Sequence, residues 1–182
     1  MYLISAYFDE NTNEILKHLQ QKIVDKTGND FMIRNNVMPH LTISAIEARN
    51  VDVLIPAFEK VCREKLQPLD EKSVANNTIN IVSVGQLFPR VIYAAPVLNE
   101  YMMNLSISIY NEFATIPETN ISKFYQPYSW MPHITLGKCL DNEQMRQAFA
   151  VLQDLFMPID GWIAKIGLST VNPYREVMSV EL

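Results

Sequence analysis

The hexapeptide Met38-Pro39-His40-Leu41-Thr42-Ile43 returns, with only aliphatic exchanges, as Met131-Pro132-His133-Ile134-Thr135-Leu136. A frame repeated in this way constrains the fold, because two copies of one strand imply two copies of whatever holds it. In an extended strand, side chains alternate between faces. His and Thr of each copy therefore share one face, and the two aliphatic residues share the other. Each copy offers an imidazole and a hydroxyl above an apolar underside that can be sunk in a core. The chain has 3 histidines, and two of them sit in this frame. Pro39 and Pro132 fit the first residue of a strand, where a missing N–H is harmless, and they restrict the residue before them.

The surroundings of the frame repeat in pattern. Residues 2–8 read as a strand, Ile4, Ala6 and Phe8 alternating with Leu3, Ser5 and Tyr7. Asn11, with Glu14 three residues on, reads as the cap of a helix. Its stripe is Ile15, Leu16, Leu19, Ile23 and Val24, and Gly28 stops it. Strand 40–46 carries the first copy. A helix over about 51–66 turns Ala57, Phe58, Val61, Cys62 and Leu66 inward, with Pro56 in its first turn. Strands 78–86 and 91–97 follow, joined across Phe88-Pro89-Arg90. Asn99 opens a helix with Met102, Leu105, Ile109 and Phe113 on one face, and a polar loop, 115–129, leads to strand 131–138 with the second copy. Asp141 and Gln144 cap a helix striped by Met145, Ala148, Phe149, Leu152 and Phe156. Strands 162–170 and 175–181 close the chain across Asn172-Pro173-Tyr174.

Helix, motif strand, helix, strand, strand thus occurs twice, after one lone strand. This order predicts an α+β fold in two pseudo-symmetric lobes. Two antiparallel sheets carry helices on their outer faces and set the motif strands across a central cleft. At 182 residues the chain is a single domain, with motif-bearing halves at about 1–97 and 98–182.

Charge and motif content narrow the function. A net charge of −5 disfavours long duplex partners, which call for a basic face, yet it is compatible with a small anion in a locally basic cleft. Cys62 and Cys139 have no Cys or His neighbour at metal-ligand spacing and suit a reducing compartment. The start of the chain lacks a basic n-region, and no apolar run approaches membrane-spanning length, so a cytoplasmic protein without membrane contact is expected. A two-histidine metal site needs a further ligand, and the motif strands hold no Asp, Glu or Cys near the imidazoles. No Gly-x-Ser-x-Gly elbow supports a nucleophilic triad. His18, beside Glu14 and Lys22 and off the apolar stripe, reads as a surface residue. Histidine is costly to bury unless hydrogen-bonded, so a buried structural strand has no need of it. The paired copies therefore read as an acid/base pair, His40 and His133, that requires neither metal nor organic cofactor.

Paired His-x-Thr-apolar strands in a duplicated α+β chain of this size resemble the 2H phosphoesterase superfamily, above all its bacterial LigT-like or 2′-5′ RNA ligase-like branch. The tetrads His40-Leu41-Thr42-Ile43 and His133-Ile134-Thr135-Leu136 match the family pattern without substitution, and the element order extends the likeness over nearly the whole chain. Gly137-Lys138 supplies the basic residue that often follows the second tetrad. The resemblance implies a bilobal fold with His40, Thr42, His133 and Thr135 lining the cleft, and hydrolysis of 2′,3′-cyclic phosphates of nucleosides or RNA ends. A 2′-5′ RNA ligase-like or RNA-end-processing enzyme is the alternative within this chemistry, and a non-catalytic nucleotide- or RNA-binding module is the alternative outside it. The partners implied are a small cyclic phosphate, a nucleotide or an RNA 3′ end, with no duplex DNA and with a monomer favoured.

Further residues surround the tetrads. Tyr7 lies on the polar face of the first strand, toward the cleft. Tyr125, Tyr128 and Trp130, on the loop entering the second tetrad, either stack a base or pack the loop on the core. Lys138, Arg90 and Arg175 are phosphate-facing cations or, by default, solvated charges.

Overall fold

The computed structural model describes residues 1–65, 77–171 and 173–182. Leu66 and Asn172, assigned above to a helix face and a turn, lie outside them. The strands are β1 (Tyr2–Phe8), β2 (Leu41–Glu47), β3 (Thr78–Leu87), β4 (Val91–Pro96), β5 (Asn120–Ile121), β6 (Ile134–Lys138), β7 (Ile159–Val171) and β8 (Tyr174–Glu181). The helices are α1 (Glu10–Thr27), α2 (Phe31–Arg34), α3 (Ile55–Lys65), α4 (Glu100–Phe113) and α5 (Asn142–Leu155). Among the described residues no helix is long and apolar enough to cross a membrane.

Three of the local signals act as expected. Gly28 ends α1 in the left-handed region, at φ 69°, and its N–H returns to the Val24 carbonyl at 2.8 Å. Asn99 caps α4 through the Met102 N–H, and Asp141 and Gln144 form a reciprocal capping box on α5. The cap of α1 differs, because it is Asp9 rather than Asn11. Asp9 Oδ1 accepts from Thr12 N at 3.0 Å, and Oδ2 accepts from Thr12 Oγ1 at 2.6 Å and from Trp162 N at 3.0 Å. The helix therefore starts as soon as β1 ends, tied at that point to β7. Ile15 consequently turns to solvent, and Thr12 and Gln20 take buried places beside Leu16, Leu19 and Ile23.

All strand pairs are antiparallel. Two wings share the long strand β7. Its first residues pair with β3, which continues to β4 and β6, and its later residues lie between β1 and β8, with β2 beyond β1. The wings meet again where β2 touches β6 at Leu41 and Ile134. The α+β architecture of antiparallel strands and outer helices is the one expected, and the wings are hydrogen-bonded into one sheet because β7 is long enough to serve both.

The repeat is phased one strand earlier than the sequence order suggests. β1-α1-β2-α3-β3 corresponds to β4-α4-β6-α5-β7, and β8 is the supernumerary strand. In space the units interleave, so the wings do not follow residues 1–97 and 98–182. α1 packs with α5 behind β6, and α4 packs with α3 behind β2. Each unit thus supports the other unit's motif strand. The underside of both strands is sunk in this core, with Leu41, Ile43, Ile134 and Leu136 at most 1% exposed. Burial of side chains of this size stabilises by roughly 1.5–3 kcal/mol each.

Candidate active site

The two motif strands meet at one residue pair, Leu41 opposite Ile134. In an antiparallel pair this register sets His40 beside Thr135 and Thr42 beside His133, all on the face opposite the buried aliphatics. The four polar side chains of the two frames therefore alternate around one crossing. The proximity also acts electrostatically. Burial, foremost, and then the neighbouring His133 and Lys138, hold His40 below its usual range, against the opposing effect of the Met38 carbonyl.

Both imidazoles are oriented in the same way. His40 Nδ1 lies 2.8 Å from the Met38 carbonyl, and His133 Nδ1 lies 2.9 Å from the Met131 carbonyl. A carbonyl only accepts, so Nδ1 carries the proton in each ring. In the neutral form this leaves the Nε2 lone pair free for chemistry. The prolines serve this geometry by holding the Met-Pro segment extended, so that the chain turns its Met carbonyl back onto the ring two residues on.

A second device is shared. Along β1 and β2 the pairing runs Ile4 to Ser44 and then Ser5 to Thr42, and along β4 and β6 it runs Ile92 to Gly137 and then Tyr93 to Thr135. Ile43 and Leu136, the fourth residue of each tetrad, are thus both extra residues of a bulge. Bulges bend a strand and re-aim its side chains. Because the strands part after one pair, their inner carbonyls need other donors. Trp130 Nε1 donates to the Thr42 carbonyl at 3.0 Å, and Gln20 Nε2 donates to the Thr135 carbonyl at 3.2 Å.

Each histidine also has a tyrosine beside it. The Tyr7 ring centre is 6.1 Å from that of His40, and the Tyr93 ring centre is 5.7 Å from that of His133, edge-on. Both tyrosines lie over a glycine of the next strand. A Cβ at Gly85 would overlap the Tyr93 phenol and force the ring to move, and a Cβ at Gly167 would press on Tyr7 Cε2 at 3.0 Å, so that ring would have to give slightly. Tyr93 is absent from the residues singled out in the sequence. Its signal was present in β4, where Tyr93 alternates with the buried Ile92 and Ala94 and faces Gly85 across the hairpin.

The remaining residues singled out in the sequence fall in different places. Tyr7 sits against His40 but is only 4% exposed, and its hydroxyl pairs with that of Tyr174, so it is a wall behind the imidazole rather than a surface for substrate. The Lys165 ammonium covers its ring at 4.9 Å and pairs with Glu176 at 2.9 Å. Burial and the Tyr174 hydroxyl both push the Tyr7 phenol up, so it stays neutral. Trp130 is buried and spent on the Thr42 carbonyl, which removes it as a stacking platform. Tyr125 is half-buried, whereas Tyr128 is 84% exposed with φ 67° and stands free at the loop surface. Arg90 folds onto the turn after β6, donating from Nε to the Leu140 carbonyl and from Nη2 to the Cys139 carbonyl, so it serves the loop. Arg175 is exposed on β8. Lys138 is exposed, close enough to act on His40, and has its Nζ 5.8 Å from the Phe31 ring centre. Among the described residues no group of three His, Cys, Asp or Glu side chains is placed to hold a metal ion.

No protein-family model matches the sequence, and no curated protein sequence matches it. A solved structure of Usb1 from Kluyveromyces marxianus with uridine monophosphate is similar over 100% of this chain and 97% of that chain, with a TM-score of 0.41 and 10% identity. The chemistry of the site has to be read from its own residues.

Proposed function

We propose that the protein is a metal-independent phosphodiesterase that opens 2′,3′-cyclic or related phosphates of nucleotides or RNA ends, with His40 and His133 as its proton acceptor and donor. One observation supports this best. Two imidazoles from equivalent strands meet at one crossing, each with Nδ1–H committed to a backbone carbonyl and each next to a threonine hydroxyl. One neutral ring accepts, at Nε2, a proton from the water whose oxygen attacks phosphorus. The bond from phosphorus to one ribose oxygen breaks, and the imidazolium of the other ring gives its Nε2 proton to that departing oxygen. One proton is taken up and one is given, so exchange with solvent resets the pair. Thr42 and Thr135 donate to the non-bridging oxygens, which is useful to the extent that those bonds tighten in the transition state.

The test is turnover of nucleoside 2′,3′-cyclic phosphates, other small cyclic phosphates and 2′-5′ oligonucleotides in EDTA. We expect a bell-shaped pH profile. His40→Ala and His133→Ala should each lose roughly 10²–10⁴-fold in rate while circular dichroism stays native. Thr42→Val and Thr135→Val should lose less, because they remove orientation and not the proton. Wild-type rates in either histidine variant would sink the proposal. Tight binding without product would identify a recognition module instead, and activity only with added Zn²⁺ or Mn²⁺ would identify a metal enzyme.

A further inference from the structure

The sheet face that carries the four tetrad side chains continues on both sides of the crossing, and the two sides differ in what they leave open. Residues paired across antiparallel strands share a face. Toward the first wing that face runs from Thr42 to Ser5 and on to Gly167, with Tyr7 opposite Lys165 and Leu3 opposite Ser169. It is sealed there. Ser5, Tyr7 and Ser169 are at most 4% exposed, the Tyr7 ring lies over Gly167, and the Tyr174 hydroxyl and the Lys165 ammonium hold that ring in place. Toward the second wing the face runs from Thr135 to Tyr93 and on to Gly85, with Ala95 opposite Ser83. Small residues leave this side open. Ser83 is exposed, and Gly85, Tyr93 and Ala95 are half-buried. A ligand centred on the crossing therefore has room to extend over the second wing and not over the first.

Tyr93 stands at the entrance to that room. It is the cross-strand neighbour of Thr135, and its ring centre is 5.7 Å from that of His133. Its ring leans over Gly85, so the hydroxyl lies on the side away from Thr135. The hydrogen-bond partner of that hydroxyl among the described residues is Met131 Sδ at 4.0 Å, on a side chain that is itself 41% exposed. A thioether is a weak acceptor, whereas a phenol both donates and accepts. An oxygen or nitrogen of a ligand is therefore a better partner than the one the hydroxyl has. The Tyr7 hydroxyl, by contrast, is committed to Tyr174.

We infer that Tyr93 is a substrate contact: with the phosphate at the crossing, the nucleoside lies over Ser83, Gly85 and Ala95 on the second wing, and the Tyr93 hydroxyl hydrogen-bonds a polar atom of it. The inference rests on the phosphodiesterase reading above and adds the side of the crossing on which the substrate is recognised. The pseudo-symmetric pair of tetrads cannot choose that side, because each presents the same groups. The walls choose it.

The experiment compares kcat/KM for a nucleoside 2′,3′-cyclic phosphate with kcat/KM for ethylene phosphate, which has the same five-membered cyclic ester and no nucleoside, in EDTA. Where ethylene phosphate binds without turning over, its Ki against the nucleoside substrate takes the place of kcat/KM. The wild type should prefer the nucleoside substrate. Tyr93→Phe removes the hydroxyl and keeps the ring beside His133, and it should lower that preference by about three- to tenfold, the size of one hydrogen bond. Ser83→Trp, which places bulk on the open side from an exposed position, should lower it at least as far. A role for Tyr93 confined to holding His133 would slow both substrates alike and leave the preference where it was. A preference that either variant leaves unchanged overturns this inference alone, as does a wild type that turns over ethylene phosphate as well as, or instead of, the nucleoside substrate. Turnover of neither substrate by the wild type overturns the phosphodiesterase reading and this inference with it.

Discussion

The wing of His40 and the wing of His133 can be laid over one another residue by residue. Ser5, Ala6 and Gly167 on the first stand where Tyr93, Ala94 and Gly85 stand on the second. One position farther along, Tyr7 and Lys165 occupy the places of Ala95 and Ser83, and each pairing then skips one residue, Ala164 in β7 and Val82 in β3. The backbone devices are shared: the bulge at the fourth tetrad residue, the Nδ1 bond to the Met carbonyl, and the glycine under the tyrosine. The side-chain walls differ. The first wing has an additional strand, β8, whose Tyr174 holds Tyr7 beside His40 and whose Glu176 holds Lys165 over the Tyr7 ring. Among the described residues the second wing has no such strand, and its Tyr93 is half-buried, with a hydroxyl that reaches Met131 Sδ at 4.0 Å. Duplication has kept what aims the imidazoles and varied what surrounds them, which is how two chemically identical groups come to have different environments.

Four experiments sharpen or break this comparison. The largest effect is expected at the carbonyl supports. Trp130→Ala removes a buried indole as well as its hydrogen bond and should cost about 3–5 kcal/mol in urea unfolding. Gln20→Ala, the counterpart, should cost about 1–3 kcal/mol for the unsatisfied Thr135 carbonyl. Equal losses would mean that the indole packs no more than the amide.

The glycines come next. In Gly167→Ala the ring that must give way belongs to Tyr7, buried and pinned by Tyr174, so about 1–3 kcal/mol of overpacking strain is expected. In Gly85→Ala the half-buried Tyr93 can swing aside, so stability should fall less while turnover falls because the wall beside His133 moves. A larger stability loss at Gly85 would contradict the assignment of the rigid wall to the first wing.

The equivalent helix caps give a smaller contrast. Asp9→Ala and Asn99→Ala should each cost about 0.5–2 kcal/mol, with Asp9 the larger because it also accepts from Trp162. Burial works against the Asp9 carboxylate, but the hydrogen bonds from Thr12 and Trp162 outweigh it and hold the carboxyl below its usual range. A depressed folded pKa means that this stability is present above about 3.9, the unfolded value, and is lost as pH falls through the folded one. The difference between wild type and Asp9→Ala should therefore shrink in acid, whereas Asn99→Ala should show no such pH dependence. Denaturant midpoints across pH 2–6 check both.

The smallest effect is a titration midpoint. His40 is held low mainly by burial, so its proton resonance should titrate below about 6.5. The unfolded state then binds more protons than the folded one in the interval between the two pKa values, and stability should fall as pH drops through it. Tyr7→Ala opens the wall and should move the midpoint upward. A midpoint that does not move would show that Tyr7 plays no part in burying this ring.

Much of this was written locally in the chain. The His-x-Thr alternation, the Asn99 cap, the Asp141–Gln144 box and the Gly28 stop each depend on residues within a few positions of one another. That is why the strands, the helices and the four central side chains could be read from their spacing. The places where the reading moved share a different physical cause. Asp9 replaced Asn11 as the cap because one of its partners is the backbone of Trp162 on β7. Tyr7 and Trp130 turned from candidate substrate contacts into supports because Tyr174 and the Thr42 carbonyl claim their polar atoms. The sequence alone determined which groups the crossing carries and which face of each strand they share. The tertiary structure decided the phase of the repeat, the bulges, the exchange of helices between units and the unequal walls around the two histidines, because strand pairing and burial are set by neighbours far away along the chain.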